Sequence, residues 1–214
     1  MRKIGDFTFR QLDGSYVLIT EIPRERFRLY NTEFQCLEGD NALLTYGYID
    51  HEAGLTFEVL CFAKYSPIEK TEFRPGNPNV TCKIRYDGME GNIHILSYDI
   101  SMAEFHDKVK MISEGYYHSD DVKKIREYEA LDPDRHPQFP DDVGALLFKE
   151  GVQMEKVWVR TSSIINGRVA GYLLNQPNSP EFGLNRGDLV TLVSIPTDVR
   201  RFTVVETPDI YSQE

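Results

Sequence analysis

The sequence predicts an α+β protein in which two short helices lie between an N-terminal, mostly antiparallel β-sheet and a C-terminal β-rich module. Three observations predict this class. Short runs rich in β-branched and aromatic residues alternate with Gly, Asp and Asn turns over the first hundred residues. Helical periodicity replaces that pattern between residues 101 and 130, and strand-like runs return beyond residue 143.

The first hundred residues are expected to form one antiparallel sheet. Residues 7–12 and 15–20 are predicted to pair as a hairpin, because Asp13-Gly14 can supply the positive φ angles of a two-residue type I′ turn. Four further strand-like runs are separated by turn residues such as Gly54 and Gly88, and they span residues 42–49, 55–63, 80–86 and 93–100.

Two amphipathic helices are expected next. The first should begin at Ser101, which has the capping-box spacing to Glu104 and precedes an apolar stripe formed by Met102, Phe105, Val109 and Ile112. The second should begin at Ser119 or Asp120 and run towards Ala130, with three side chains directed inward: Val122, Ile125 and Tyr128.

Residues 132–142 contain three prolines and four aspartates, a composition that excludes helix interiors and central strands. We therefore expect this segment to be a linker. The predicted organisation is an N-terminal domain at residues 1–131, the linker at 132–142 and a C-terminal module at 143–214.

The C-terminal module is expected to contain a hairpin closed by Asn166-Gly167. A two-residue turn predicts the cross-strand pairs Ile165 with Arg168, Val159 with Leu174 and Trp158 with Asn175. The strand period of two then divides the side chains between two faces. One face takes Val157, Val159, Ala170, Tyr172 and Leu174, and the other takes Trp158, Ile164, Val169, Gly171, Leu173 and Asn175. Gly171 is expected either to mark a bulge or to leave room for Trp158.

Three blocks in this module resemble the DUF2314 family. The motifs E-x-x-W, G-x-L-x-N-x-P and G-D are matched by Glu155 and Trp158, by Gly171, Leu173, Asn175 and Pro177, and by Gly187 and Asp188. Residues 145–149 are also similar to the strand that opens that module. The resemblance covers roughly the last third of the chain, and it ends before residues 195–198, where no aromatic residue follows Asp198. It implies a small β-rich module of unknown function.

Trp158, Asn175 and Asp188 are the candidate binding residues of this module. One interpretation is structural, since Asn175 can form an Asx-type turn and Asp188 can bind the N–H groups of its own loop. The other interpretation is that the three side chains converge as an aromatic platform with polar ends, which is typical of a ligand pocket or of a hot spot for a protein partner.

Catalytic residues cannot be assigned from the sequence, and neither a cofactor nor a metal site is expected. The five histidines show none of the usual metal-binding spacings, and no phosphate-binding loop or nucleophile elbow is present. The best metal candidate is His118 with Asp120 and Asp121, joined by His136. The best nucleophile candidate is Cys61 or Cys82 with His94 across the sheet.

Charge and composition bound the possible partners and the cellular location. A formal net charge of -10 repels nucleic acid and anionic membranes and favours a basic protein partner. No apolar run approaches the ~20 residues of a membrane span, no signal peptide is evident, and the three cysteines lack CxxC spacing. We expect a cytoplasmic, non-enzymatic protein-binding factor of the immunity or antitoxin type. The alternative is a hydrolase or a small-ligand module whose site is assembled only by the fold.

Overall fold

A computed structural model describes residues 2–30, 36–75, 79–97, 100–196 and 201–206 of the chain. Its contacts form two compact units, Met1–Tyr117 and His118–Glu214. Strands account for 39% and helices for 23% of the residues, which confirms the predicted α+β class.

The first unit is built on a six-stranded sheet. Its strands are β1 (Tyr16–Thr20), β2 (Ala42–Asp50), β3 (Gly54–Lys64), β4 (Glu72–Pro75), β5 (Lys83–Arg85) and β6 (Asn92–Leu96). The order is β4-β3-β2-β1-β6, β5 also pairs with β3, and every pairing in this sheet is antiparallel. Both faces are covered: Val17 and Phe57 lie in the core of one face, and Leu44 and Phe105 lie in that of the other.

The described part of the first unit also contains three short α-helices: α1 (Phe9–Leu12), α2 (Arg24–Tyr30) and α3 (His106–Gly115). Helix α1 replaces the first strand of the predicted hairpin, so that prediction was wrong. Thr8 and Gln11 form a capping box in which the Thr8 hydroxyl accepts from the Gln11 N–H, and Gln11 Oε1 accepts from the Thr8 N–H at 3.0 Å. In addition, Asp13 has a φ of -66°, and a type I′ turn requires a positive value there.

Helix α3 packs on the sheet through the predicted apolar stripe. Phe105 and Ile112 are buried, and Val109 packs beside Phe105. The α-helix begins at His106, after a 3-10 helix at Ile100–Phe105, and so it starts later than the sequence predicts. The side chain of Met102 lies outside the described residues.

The second unit is a closed five-stranded barrel. It comprises β7 (Asp142–Leu147), β8 (Glu155–Ile165), β9 (Arg168–Leu173), β10 (Leu189–Pro196) and β11 (Arg201–Val205), together with helix α4 (Asp120–Arg126). Consecutive strands pair antiparallel, and β11 closes the barrel by pairing parallel with β7. The interior is aliphatic, with Leu147, Val159 and Leu173 at its centre and Ile125 of α4 packed against them.

Helix α4 begins as predicted, since the Ser119 hydroxyl accepts a hydrogen bond from the Val122 N–H and caps the helix. It ends at Arg126, however, and not near Ala130. Tyr128 therefore lies beyond the helix and is 42% exposed, which corrects the prediction that it faces inward.

The predicted linker at residues 132–142 belongs to the second unit, and the division of the chain falls earlier, between Tyr117 and His118. Arg135, whose side chain is only 4% exposed, donates hydrogen bonds to the Asp132 carboxylate and to the carbonyl oxygens of Ile125 and Pro140. The segment nevertheless contains regular structure, because a 3-10 helix at Glu129–Asp134 includes Pro133 and β7 begins at Asp142. Arg135 links the segment to helix α4 through the Ile125 carbonyl.

The C-terminal hairpin has the predicted turn but a different register. Asn166 and Gly167 have φ angles of 51° and 77°, and Ile165 pairs with Arg168 as expected. One extra residue between Thr161 and Ser163 then shifts the register, so Val159 pairs with Leu173 and not with Leu174. This is a β-bulge opposite Gly171, one of the two roles expected for that glycine.

Within the described ranges, no helix is both long enough and apolar enough to cross a lipid bilayer.

Candidate functional site

The bulge in β8 places Trp158 on the outside of the barrel. Val157 and Val159 face the interior together with Val169 and Leu173, and Trp158, lying between the two valines, points to the opposite side. The prediction that Trp158 shares a face with Val169 and Leu173 was therefore wrong. One inserted residue reverses which side chains point inward beyond it.

Cross-strand pairing aligns further side chains beside Trp158. Arg160, the next outward residue of β8, pairs with Asp142 on one side and with Tyr172 on the other, and Tyr172 pairs in turn with Leu189. Tyr172 and Leu189 are each 49% exposed. We define the Trp158 surface as the side chains of His136, Lys156, Trp158, Arg160, Tyr172 and Leu189.

The indole of Trp158 is half-buried between neighbouring side chains. The His136 ring meets it edge-on at a centroid distance of 5.5 Å, and Lys156 Nζ lies 5.1 Å from the indole centroid. Gly144 of β7 pairs with Trp158. A Cβ atom at Gly144 would lie 2.6 Å from Lys156 Cε. The glycine thus allows the lysine side chain to lie close to the strand.

Hydrogen bonds orient the His136 ring. Its Nδ1 accepts from the backbone N–H groups of Gln138 and Phe139 at 3.2 and 3.3 Å. An accepting Nδ1 carries no proton, so the proton of the neutral ring is on Nε2. His136 therefore contributes an N–H donor to the Trp158 surface.

Arg160 is held by a two-pronged ion pair. Its Nε and Nη2 donate to the two oxygens of Asp142 at 2.7 and 2.9 Å. The hydrogen bond from Arg160 to Asp142, together with the negative charges of Asp142 and Asp141, outweighs burial and raises the pKa of the guanidinium. The Arg160 side chain is still 39% exposed, and so a fixed, charged guanidinium lies next to Trp158.

Asn175 contacts Trp158 as a positioning residue. Its Oδ1 accepts the Trp158 backbone N–H at 2.7 Å, and the Trp158 carbonyl accepts the Leu174 N–H at 2.8 Å. Asp188 has a separate task, because its Oδ2 accepts the Asn185 N–H at 2.7 Å within its own loop. The structure thus brings Trp158 and Asn175 together, while the hydrogen bond of the Asp188 side chain is made to its own loop.

Glu155 plays a similar structural part in the motif that resembles DUF2314. Its carboxylate accepts the backbone N–H groups of Asn178 and Ser179 at 2.7 and 2.8 Å. Glu155, Asn175 and Asp188 therefore all bind backbone N–H groups. For Asp188 this is the structural role considered from the sequence, whereas Asn175 binds the N–H of Trp158 on β8 and not its own backbone.

The cysteine and histidine residues weighed as a nucleophilic pair are separated by strands. Cys61 pairs with Leu44, Leu44 with Leu18, and Leu18 with His94, so two strands lie between the two side chains. Burial raises the pKa of Cys61 to about 12, and a thiol with that pKa is a poor nucleophile. The carbonyl of Cys82 accepts from Val59 on β3, which likewise places Cys82 away from β6.

At the candidate metal site, His118 contacts the guanidinium group of Arg126. His118 Nε2 lies 3.1 Å from Arg126 Nη2, and the guanidinium also binds Asp141 at 2.7 and 2.9 Å. In the part of the chain that the structure describes, no group of three His, Cys, Asp or Glu side chains is placed to hold a metal ion.

No protein-family model, curated protein or solved structure matches this chain. The resemblance to DUF2314 therefore stays a prediction.

Of the Trp158 surface, only Trp158 is a candidate binding residue from the sequence, and Lys156, Arg160 and Tyr172 are not. Lys156, Trp158 and Arg160 alternate along the chain with Val157 and Val159. This alternation indicates a strand with one exposed face. Tyr172 could not be added to that face without knowing where the bulge lies.

Proposed function

We propose that this chain is a non-enzymatic protein-binding factor that binds its partner through the Trp158 surface. One observation carries the proposal: strand register and the bulge bring Trp158, Arg160 and Tyr172 onto one exposed face of the barrel. Trp, Tyr and Arg are the residue types most enriched in the hot spots of protein interfaces.

The surface is organised before any partner arrives. Asn175 holds the Trp158 backbone, Asp142 holds the Arg160 guanidinium, and backbone N–H groups hold the His136 ring. Side chains that are already ordered lose less conformational entropy on association, so more of the contact energy contributes to affinity.

The polar groups of this surface are mainly donors. The Trp158 indole N–H, the His136 Nε2–H and the Lys156 ammonium can all donate, while the positive charge of Arg160 is balanced by Asp142. At short range the surface therefore suits a partner segment that offers an apolar side chain beside a carboxylate or backbone carbonyls. At long range the net charge of -10 attracts a basic protein. The proposed partner is a basic protein with such a segment on its surface, as in an immunity or antitoxin pair.

Affinity capture with a set of variants tests this proposal. Wild-type chain should retain a stoichiometric partner, and Trp158→Leu and Tyr172→Ala should each lose it while keeping the wild-type circular dichroism spectrum. Tyr128→Ala is the matched control, since it removes an equally exposed tyrosine of the second unit that lies outside the Trp158 surface. Absence of any partner from the wild-type sample, or equal recovery with all variants, would overturn the proposal.

Salt dependence distinguishes long-range from short-range attraction. A basic partner should associate more slowly as ionic strength rises, because screening weakens the attraction between net charges. An association rate that increases with salt would indicate an acidic partner instead.

A further inference from the structure

A concave cavity of about 890 Å³ lies in the first unit, at one end of its sheet. At that end β1 and β3 finish and β2 and β6 begin, and the cavity is lined mainly by residues in or next to these strand ends. The lining residues used below are Thr20, Glu21, Arg24, Phe27, Tyr65 and His94. The volume lies in the range of pockets that bind small organic molecules.

The inner part of the cavity combines aromatic rings with polar atoms. His94 Nε2 lies 3.2 Å from the Thr20 hydroxyl, and the Tyr65 and His94 rings are 5.4 Å apart. Among the described residues, neither the Tyr65 hydroxyl nor His94 Nδ1 has a hydrogen-bond partner. Phe27, which packs on Phe62, adds an apolar wall.

Two opposite charges remain available in the lining. Nearby ionised groups are paired, since Asp40 binds Arg74 at 2.7 Å and Arg26 binds Glu90 at 3.3 Å. Glu21 and Arg24, which are exposed and three residues apart, have no ion-pair partner among the described residues. Their charges cancel, so the cavity favours a ligand with no net charge over a phosphate ester or a metal ion.

The backbone at Glu21 is held in a conformation that side chains rarely adopt. Its φ is 56°, in the left-handed region that favours glycine, and the residue nevertheless carries a carboxylate that lines the cavity. Such strained non-glycine residues cluster at ligand-binding positions, where the surrounding structure compensates for their cost.

We infer that this cavity binds a small zwitterionic molecule with an apolar or aromatic side chain, of which a free amino acid is the simplest example. The ligand ammonium would bind Glu21 and its carboxylate would bind Arg24. Its side chain would lie against Phe27 and Tyr65, while His94 and Thr20 would bind any polar group on it. The cavity belongs to the first unit, and the Trp158 surface belongs to the second.

Calorimetric titration of the full chain with L-phenylalanine and L-leucine tests the inference. Either amino acid should bind saturably, and N-acetyl-L-phenylalanine amide and phenyl phosphate, which lack one or both charges of the zwitterion, should not. Glu21→Gln and Arg24→Gln should each weaken binding about tenfold to hundredfold, the effect of losing a hydrogen bond to a charged group. Tyr128→Ala, which changes neither the cavity lining nor the Trp158 surface, should leave it unchanged.

Glu21→Gly separates a ligand role from a structural one. Glycine adopts the left-handed backbone freely, so this variant should melt at a higher temperature than wild type and still lose amino-acid binding. The inference is overturned if neither amino acid binds at millimolar concentration, if phenyl phosphate binds in their place, or if Glu21→Gly and Glu21→Gln bind as tightly as wild type.

Discussion

The side-chain Oδ1 of Asn175 accepts a hydrogen bond from the backbone N–H of Trp158 at 2.7 Å, and so ties the segment that follows β9 to the middle of β8. Because Trp158 is the single tryptophan of the chain, its fluorescence reports on this contact without interference from other sites.

Asn175→Ala should destabilise the second unit by about 1–3 kcal/mol, since it leaves a half-buried N–H group without its acceptor. The Trp158 emission should shift to longer wavelength as water reaches the indole. Denaturant unfolding followed by tryptophan fluorescence measures both effects. Asn178→Ala is the control: its side chain is exposed and bonds to Glu155, so a similar loss in that variant would contradict the assigned role of Asn175.

Gly171→Ala should be among the most damaging single substitutions in the barrel. A Cβ atom at this position would lie 2.3 Å from the Arg160 carbonyl oxygen and 2.9 Å from the Thr161 Cα, and backbone atoms cannot move aside cheaply. We expect a loss of about 3 kcal/mol or more. Gly88→Ala, where nothing lies within 4 Å of the added atom, should change the melting temperature of the first unit little. A Gly171→Ala variant that melts like wild type would show that the bulge is placed incorrectly.

Removing both charges of the buried Arg126–Asp141 pair should destabilise the second unit less than removing one of them. Arg126→Met leaves Asp141 without its two-pronged partner, at a cost of about 3–5 kcal/mol. The double variant Arg126→Met with Asp141→Leu should recover much of that loss, because no unpaired charge remains. Equilibrium unfolding of wild type, Arg126→Met, Asp141→Leu and the double variant completes a double-mutant cycle. A cycle with no coupling energy would mean that the ion pair does not form.

Protonation of Asp50 should make the first unit less stable in acid. Burial raises the pKa of this carboxyl, but hydrogen bonds from the Glu52 and Ala53 N–H groups and from Arg85 outweigh burial and lower the pKa below its ordinary value. A group whose folded pKa is lowered stabilises the fold above its unfolded pKa, about 3.9 for Asp, and this contribution is lost as pH falls through the folded value. Melting curves of wild type and Asp50→Asn should therefore differ most above pH 4 and converge in stronger acid. Curves with a constant separation would contradict the shift.

Strand and turn positions could be predicted because their signals are local. The Asn166-Gly167 turn, the Ser119 cap and most strand cores are encoded within a few residues of each other. The Thr8 and Gln11 capping box is equally local, but Asp13-Gly14 has the spacing of a type I′ turn and so predicts a hairpin that does not form. Competing local signals cannot be ranked without the tertiary contacts of Leu12, which is fully buried in the structure.

The sites depend on long-range pairing that sequence periodicity cannot supply. The sequence signals the bulge in β8 only indirectly, through Gly171 on the neighbouring strand. Because the bulge was not placed, the faces around Trp158 were assigned incorrectly. In the first unit, Thr20 and His94 are 74 residues apart and meet only because β1 and β6 are neighbours. Isolated polar residues at strand ends carry no pattern that would predict this proximity.

Closure of the barrel restricts how a partner can recognise the second unit. The described barrel strands close on themselves through the pairing of β11 with β7 at Val204 and Leu146, which disfavours attachment of a peptide by strand addition. Recognition should then pass through side chains on the barrel wall. Homologous chains could consequently keep the same barrel while exchanging those side chains, and thereby change partners without changing fold.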